Sequence, residues 1–168
     1  MKQRIITLTL ISVALFGCAA PDFVKTATEW VVPTGEKLQW QSLRLQPQPN
    51  ANQNSPVALD IVLALDAVTA DKLEALTGAQ WHQQREGLLG GLQGLAVVLR
   101  FELTPGDGIL VAEDALPKER AMRVLAFANL KGDAPGRLRL NPRARHLLIE
   151  IGETDLRMRA DPPSRTSP

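Results

Sequence analysis

The 168-residue chain has one cysteine, no tyrosine and only 4% aromatic residues. A lone cysteine excludes an internal disulfide, so the fold must rest on apolar packing without the cross-links common in small exported domains. The scarcity of aromatics argues against a surface that stacks on carbohydrate rings. Charge of one sign is also lacking: 19 basic side chains face 18 acidic ones. Nothing in that balance favours nucleic acid or a polybasic attraction to anionic lipid. No apolar run reaches the roughly 20 residues that a transmembrane helix needs.

The longest apolar run is instead short and terminal. Met1, Lys2, Gln3 and Arg4 precede an apolar stretch from Ile5 to Phe16, which closes as Leu15-Phe16-Gly17-Cys18. A positive start, an apolar stretch of about 12 residues and small residues at the cut are the marks of a secretory signal. With cysteine directly after Leu-Phe-Gly, the segment resembles a bacterial lipobox, whose thiol receives a diacylglyceryl group and becomes the new N-terminus. The alternatives are a buried thiol or an ordinary signal peptide cut after Ala19 or Ala20. Two or three acyl chains, at about 0.8 kcal/mol per buried methylene, hold a protein stably on a membrane without a helix. In such lipoproteins an aspartate after the cysteine favours the inner membrane, so Ala19 points to the outer membrane and its periplasmic face. Residues 1–17 are thus expected to be a lipoprotein signal peptide, and residues 18–35, with Pro21, Pro33 and Gly35, a lipid-anchored tether. Removing residues 1–17 takes away Lys2 and Arg4 and no acid, which leaves the mature chain near neutrality. Residues 161–168, whose only apolar members are three prolines, read as a disordered tail.

Between these ends, residues 36–160 have the size of one domain. Period-two alternation marks strands at Val57 to Leu65, Leu95 to Leu103, Leu147 to Ile151 and briefly Leu156 to Met158. Leu38 to Leu45 changes phase, which would suit a bulge. Ala121 to Leu130 is apolar on both faces and suits a central strand. Leu138 and Leu140, between Arg137 and Arg139, suit a short edge strand. Turn chemistry separates these segments at Thr104 to Gly108, Gly132 to Gly136 and Gly152 to Asp155. One region breaks the pattern: Thr69 reads as an N-cap followed by Leu73 and Leu76, and Thr77 with Gln80 as a capping box before Trp81, Arg85 and Leu88. The expected fold is mainly β, a two-sheet β-sandwich with a short helical insert packed on one end, Trp81 and Leu88 facing the sheet.

Catalytic and metal signals are thin. His82 and Glu86 stand at helical i,i+4 spacing but lack a third ligand, so His82 is expected on a polar surface, and His146 is expected to point outward. No serine sits in a Gly-x-Ser-x-Gly turn. Gly90-Gly91-Leu92-Gln93-Gly94 follows a helix and precedes a strand, the wrong order for a dinucleotide loop, and reads as a helix C-cap. Arg137, Arg139, Arg143 and Arg145 read as the solvated side of an edge strand. No enzyme activity, metal or cofactor is expected. The segment Gln46 to Pro56 differs in kind: uncharged, rich in amide donors and acceptors, and longer than an ordinary hairpin connection, as binding loops on rigid scaffolds often are.

The order of these features resembles the TssJ-like outer-membrane lipoproteins of the bacterial type VI secretion system. The carriers are the lipobox, an Asn-containing loop ending in Ser55-Pro56, the strand from Val57, a helical insert, Leu99-Arg-Phe-Glu-Leu103 followed by Thr104-Pro105-Gly106, and the strand Arg123 to Ala128. The likeness covers about residues 36 to 160. It implies a transthyretin-like sandwich beneath the outer membrane that docks the periplasmic region of the inner-membrane TssM component. It further implies that Gln48, Asn50, Asn52, Gln53 and Asn54 contact that partner. This loop lacks the Asp and Gly that often accompany its Asn in the family, and the insert carrying Trp81 is long. Other readings of the same chain are a ligand-binding periplasmic lipoprotein, which would need a concave apolar pocket, and a pilotin that escorts a secretin.

Overall fold

The computed structural model describes residues 35–92 and 94–160. The expected signal peptide, Cys18, nearly all of the expected tether and the expected tail lie outside these residues.

Among the described residues ten strands and two α-helices follow one another: β1 (Glu36–Lys37), β2 (Ser42–Pro47), β3 (Val57–Ala64), α1 (Ala67–Glu74), α2 (Gly78–Gly91), β4 (Ala96–Leu103), β5 (Ile109–Ala112), β6 (Arg120–Ala121), β7 (Arg123–Ala128), β8 (Arg137–Leu140), β9 (His146–Ile151) and β10 (Leu156–Ala160). Two four-stranded sheets result, ordered β4-β3-β7-β8 and β10-β9-β2-β5, with β1 and β6 forming a small separate pair. Every pairing is antiparallel except that of β2 with β9.

The sheets close on each other through the alternation that the sequence displays. Leu43, Leu45, Leu147, Ile149 and Ile151 of one sheet meet Leu59, Ile61, Leu63, Val124, Ala126 and Leu140 of the other in a single buried cluster. A second cluster lies on the opposite face of the β4-β3-β7-β8 sheet, where Val62, Ala64, Leu125 and Phe127 are covered by Leu73 of α1 and Trp81 of α2. The molecule is therefore a sandwich with a helical third layer. β3 is buried on both faces rather than half-buried, because the helices cover the side that small apolar residues left ambiguous. The helices lie across the outer face of a sheet, not on an end of the sandwich.

Trp81 fixes that layer. Its ring stacks on Phe127 with centroids 5.1 Å apart and planes 17° from parallel. Its Nε1 donates at 2.8 Å to Asp60, a carboxylate only 1% exposed, which also accepts from Arg85 at 3.1 Å. A buried charge is tolerable only with such partners. The α2 capping box forms as the sequence implies, Gln80 N–H donating to Thr77 Oγ1 and Thr77 N–H to Gln80 Oε1. α1 begins one turn earlier than Thr69. Asp66 is the N-cap and accepts the Thr69 N–H at 3.0 Å, so Thr69 becomes a buried residue of the first turn.

The other departures are local. Leu38 to Leu45 is not one bulged strand: β1 and β2 are separated by a crossing segment in which Trp40 is buried and its Nε1 donates to the Asn141 carbonyl at 2.8 Å. β5 has no counterpart in the sequence reading, since Ile109-Leu110-Val111-Ala112 is apolar throughout and shows no alternation.

Candidate functional site at the loop end

Strand registers place four connections at one end of the sandwich. Val57 pairs with Leu103, Leu59 with Ala128, Leu45 with Ile109 and Pro47 with Ile151. The loops leaving those strand ends, residues 48–56, 104–108, 129–136 and 152–155, are neighbours in space. The starts of β2, β7 and β9 mark the other end, and Gly35 lies there, where a Cβ would come within 2.6 Å of the Ala121 carbonyl carbon. A strand of six to eight residues spans about 20–26 Å, which separates the loop end from the first described residue.

The 48–56 loop is held by one side chain. Asn52 is 3% exposed. Its Oδ1 accepts the backbone N–H of Lys131 at 2.6 Å and its Nδ2 donates to the Pro56 carbonyl at 2.9 Å. Its own N–H reaches the Gly152 carbonyl at 3.2 Å. One residue, through its side-chain amide and its backbone N–H, thus ties three loops together. Ala51 beside it is fully buried, while Gln48 donates its N–H to Ile151 and accepts that of Ala51, both at 2.9 Å. At the margins Lys131 Nζ donates to Ser55 Oγ at 2.6 Å, and Asn50 Nδ2 to Glu153 at 3.3 Å.

The tip is conformationally unusual. Asn52, Gln53 and Asn54 have φ of 48°, 54° and 57°. Three successive non-glycine residues in the left-handed region cost free energy, least for asparagine, and they persist where surrounding bonds over-determine them. Gln53 and Asn54 are exposed there, as are Gln48 and Asn50. The arrangement therefore offers primary amides, each able to donate and accept, on a backbone already fixed in shape. Such fixing lowers the ordering cost of binding.

The expectation that Asn52 contacts a partner needs correction. Both ends of its side chain are used inside the chain and almost none of it reaches solvent, so its role is to position the residues around it. Lys131 and Glu153 join the site without having been expected. Their turns are readable in sequence, but only the strand registers bring them to the 48–56 loop.

The remaining candidates resolve into structural roles. His82 is partly buried, its Nε2 3.1 Å from the Phe127 carbonyl, rather than free on a polar face. His146 lies on the outer side of β9 and meets Ser42 Oγ through Nδ1 at 2.9 Å. Among the described residues no three His, Cys, Asp or Glu cluster as metal ligands. The arginine run is more engaged than a solvated edge would be: Arg137 donates to the Leu76 carbonyl at 3.1 Å, Arg139 stands 3.8 Å from Glu74, and Arg143 grips Glu36 at 2.7 and 2.9 Å. α2 ends at Gly91, where the Leu92 N–H reaches back to the Leu88 and Leu89 carbonyls, so the glycine-rich stretch ends a helix. Near the chain's first described residues a crevice of about 830 Å³ is lined by Glu36, Met122, Leu140, Arg143 and Met158 among others.

No protein-family model matches this sequence, nor does any curated protein. Solved structures do. The T6SS lipoprotein TssJ1 from Pseudomonas aeruginosa superposes with a TM-score of 0.54 at 22% identity, over 72% of this chain and 95% of that one. The fold is TssJ-like. Serratia marcescens Lip, a membrane-bound component of the Type VI Secretion System, gives 0.52 at 14% identity, over 74% of this chain and 99% of Lip. A chain from the structure of the T6SS protein TssM C-terminal domain from EAEC gives 0.50 at 16%, over 73% and 97%. Because nearly the whole of TssJ1 and of Lip is covered, the TssJ-like fold extends over the complete sandwich and not one sheet.

Proposed function

We propose that this chain is a lipid-anchored assembly module of a type VI secretion membrane complex. In this reading residues 1–17 are removed, Cys18 is acylated, residues 18–35 tether the domain to the periplasmic face of the outer membrane, and residues 36–160 carry the interaction; residues 161–168 form a tail. The loop end docks the periplasmic region of a TssM-like inner-membrane protein through Gln48, Asn50, Gln53 and Asn54, with Asn52 holding them. The chain acts by binding and not by catalysis.

The observation that carries this reading is the polarity of a TssJ-like sandwich. The rigid amide-bearing tip lies at the end opposite Gly35, the first described residue, which leaves that tip free for a partner in this reading. The crevice near Glu36 favours a ligand-binding role less, because the arginines along it are already paired with Glu36, Glu74 and Asp71.

Two measurements test the proposal. Cys18→Ser should leave a folded protein that no longer fractionates with the outer membrane; continued fractionation would defeat the anchor. The triple variant Asn50→Ala, Gln53→Gly, Asn54→Gly removes the exposed amides while glycine keeps the left-handed backbone. It should weaken capture of the TssM-like periplasmic region at least about tenfold, the loss of one or two good hydrogen bonds. Unchanged capture would remove the loop from the interface.

A further inference from the structure

β4 is an edge strand eight residues long, and among the described residues nothing pairs with its far side. The Leu65 N–H donates to the Leu95 carbonyl at 3.0 Å, and the same register continues to Val57 opposite Leu103. In an antiparallel ladder the hydrogen-bonded pairs alternate, so those of β4 with β3 are Val97, Leu99, Phe101 and Leu103. The N–H and C=O groups of Ala96, Val98, Arg100 and Glu102 therefore point away from the sheet. An uncovered edge of this length is a template for another strand, and charges on it decide which strand is accepted.

The geometry points to a second copy of this chain, paired antiparallel along β4 about a two-fold axis at Phe101. An axis at Arg100 would place that residue opposite itself, and an axis at Glu102 would do the same with two acids. An axis at Leu99 leaves both charges opposite Val98 and Ala96. Only the Phe101 axis sets Arg100 against Glu102 of the second copy and Glu102 against its Arg100. It also sets Leu99 against Leu103 and Phe101 against Phe101. The match extends to the backbone, because Arg100 and Glu102 are residues whose free groups face outward and can form the new hydrogen-bonded pair. A two-fold perpendicular to the sheet keeps both side chains on the same face. Both are exposed; Arg100 is half so, with Glu86 of α2 at 3.3 Å as its present neighbour. Pairing would also cover Val97, Leu99 and Phe101, which are only partly buried along this flank. This inference is independent of the lipid anchor and of the loop end.

A joint of about five residues a side falls below the roughly 1,200 Å² of a stable interface, so the dimer is weak and needs high concentration. Sedimentation equilibrium of the mature chain, residues 18–168, carrying Cys18→Ser, from about 10 µM to 1 mM, should show a reversible dimer. The same substitution removes the only thiol, so no disulfide can mimic the result. Arg100→Glu alone and Glu102→Arg alone each set like charges face to face twice and should raise the dissociation constant about tenfold or more. The double variant Arg100→Glu, Glu102→Arg restores opposite pairs in a second copy alone and should return to within about threefold of the parent. Thermal melts of each variant exclude unfolding as the cause. A monomer at every concentration, or single reversals without effect, or a double reversal that fails to restore association, would each overturn the assignment.

Discussion

Replacing Asn52 by alanine isolates the side chain on which the loop end depends. The substitution removes the acceptor of the Lys131 N–H and the donor to the Pro56 carbonyl. Each orphaned group costs about 1–3 kcal/mol, and the low end applies because Lys131 is exposed and water can reach the gap. Those two losses come to about 2–3 kcal/mol. Alanine at φ 48° adds about 1 kcal/mol, since it tolerates the left-handed region less well than asparagine. The expected cost of Asn52→Ala is about 3–4 kcal/mol, a large share of the 5–15 kcal/mol typical of a domain. Asn52→Gly should be about 1 kcal/mol milder, because glycine pays no steric penalty there. Urea unfolding measures both, and hydrogen exchange at Ser55 and Lys131 shows whether the loop alone opens. If Asn52→Ala costs under about 0.5 kcal/mol, the inter-loop bonds do not hold the tip and the argument for a pre-shaped surface fails.

Three further perturbations test the frame around that site. Trp81→Phe keeps the stack on Phe127 but takes one of two donors from buried Asp60, and should lower the urea midpoint by the equivalent of about 2–4 kcal/mol at unchanged slope; a loss under about 1 kcal/mol would mean that Arg85 alone suffices. Gly78→Ala would drive a Cβ into the carbonyl oxygens of Ala128 and Gly136, prying α2 from the 129–136 loop at about 1–3 kcal/mol, read as a lower melting temperature. The Thr69 hydroxyl and backbone N–H hold the Asp66 carboxyl below the usual carboxylate value. A lowered folded value means that the cap's contribution is complete above the unfolded value of about 3.9 and is lost as pH falls through the folded one. The stability difference between the parent and Asp66→Asn should therefore be constant above about pH 5 and shrink below pH 4; a flat difference down to pH 2 would refute the cap's charge dependence.

Local chemistry was legible in the sequence and long-range register was not. The Thr77–Gln80 capping box is readable because both partners lie within one turn. The alternation Leu59, Ile61, Leu63 announces an inward face, and so gives β3. The opposite face was misread because Val62 and Ala64 are small enough for either environment, and the helices that bury them are specified elsewhere. Asp66 and Thr69 are both good caps at the start of α1, and the sequence alone does not rank them. Asn52 is the hardest case. In a run holding Asn50, Asn52 and Asn54 nothing marks the middle one, since its partners, Lys131 and Gly152, are about 80 and 100 residues away and arrive through the pairing of β3 with β7 and β2 with β9.

The length of the 48–56 loop carries less functional meaning than it first suggests, and its tip carries more. β2 and β3 belong to different sheets, so their connection must cross the roughly 10 Å between layers and could never be a tight hairpin. A second connection makes the same crossing at the same end: β4 to β5 needs only the five residues 104–108. The nine residues 48–56 thus hold more chain than the crossing demands. That surplus is where the fold places a buried amide, three left-handed residues and the exposed side chains of Gln53 and Asn54. A connection shaped only by topology would have no reason to keep that strain, and this supports the proposed reading of the tip as a surface that presents fixed amides to another protein.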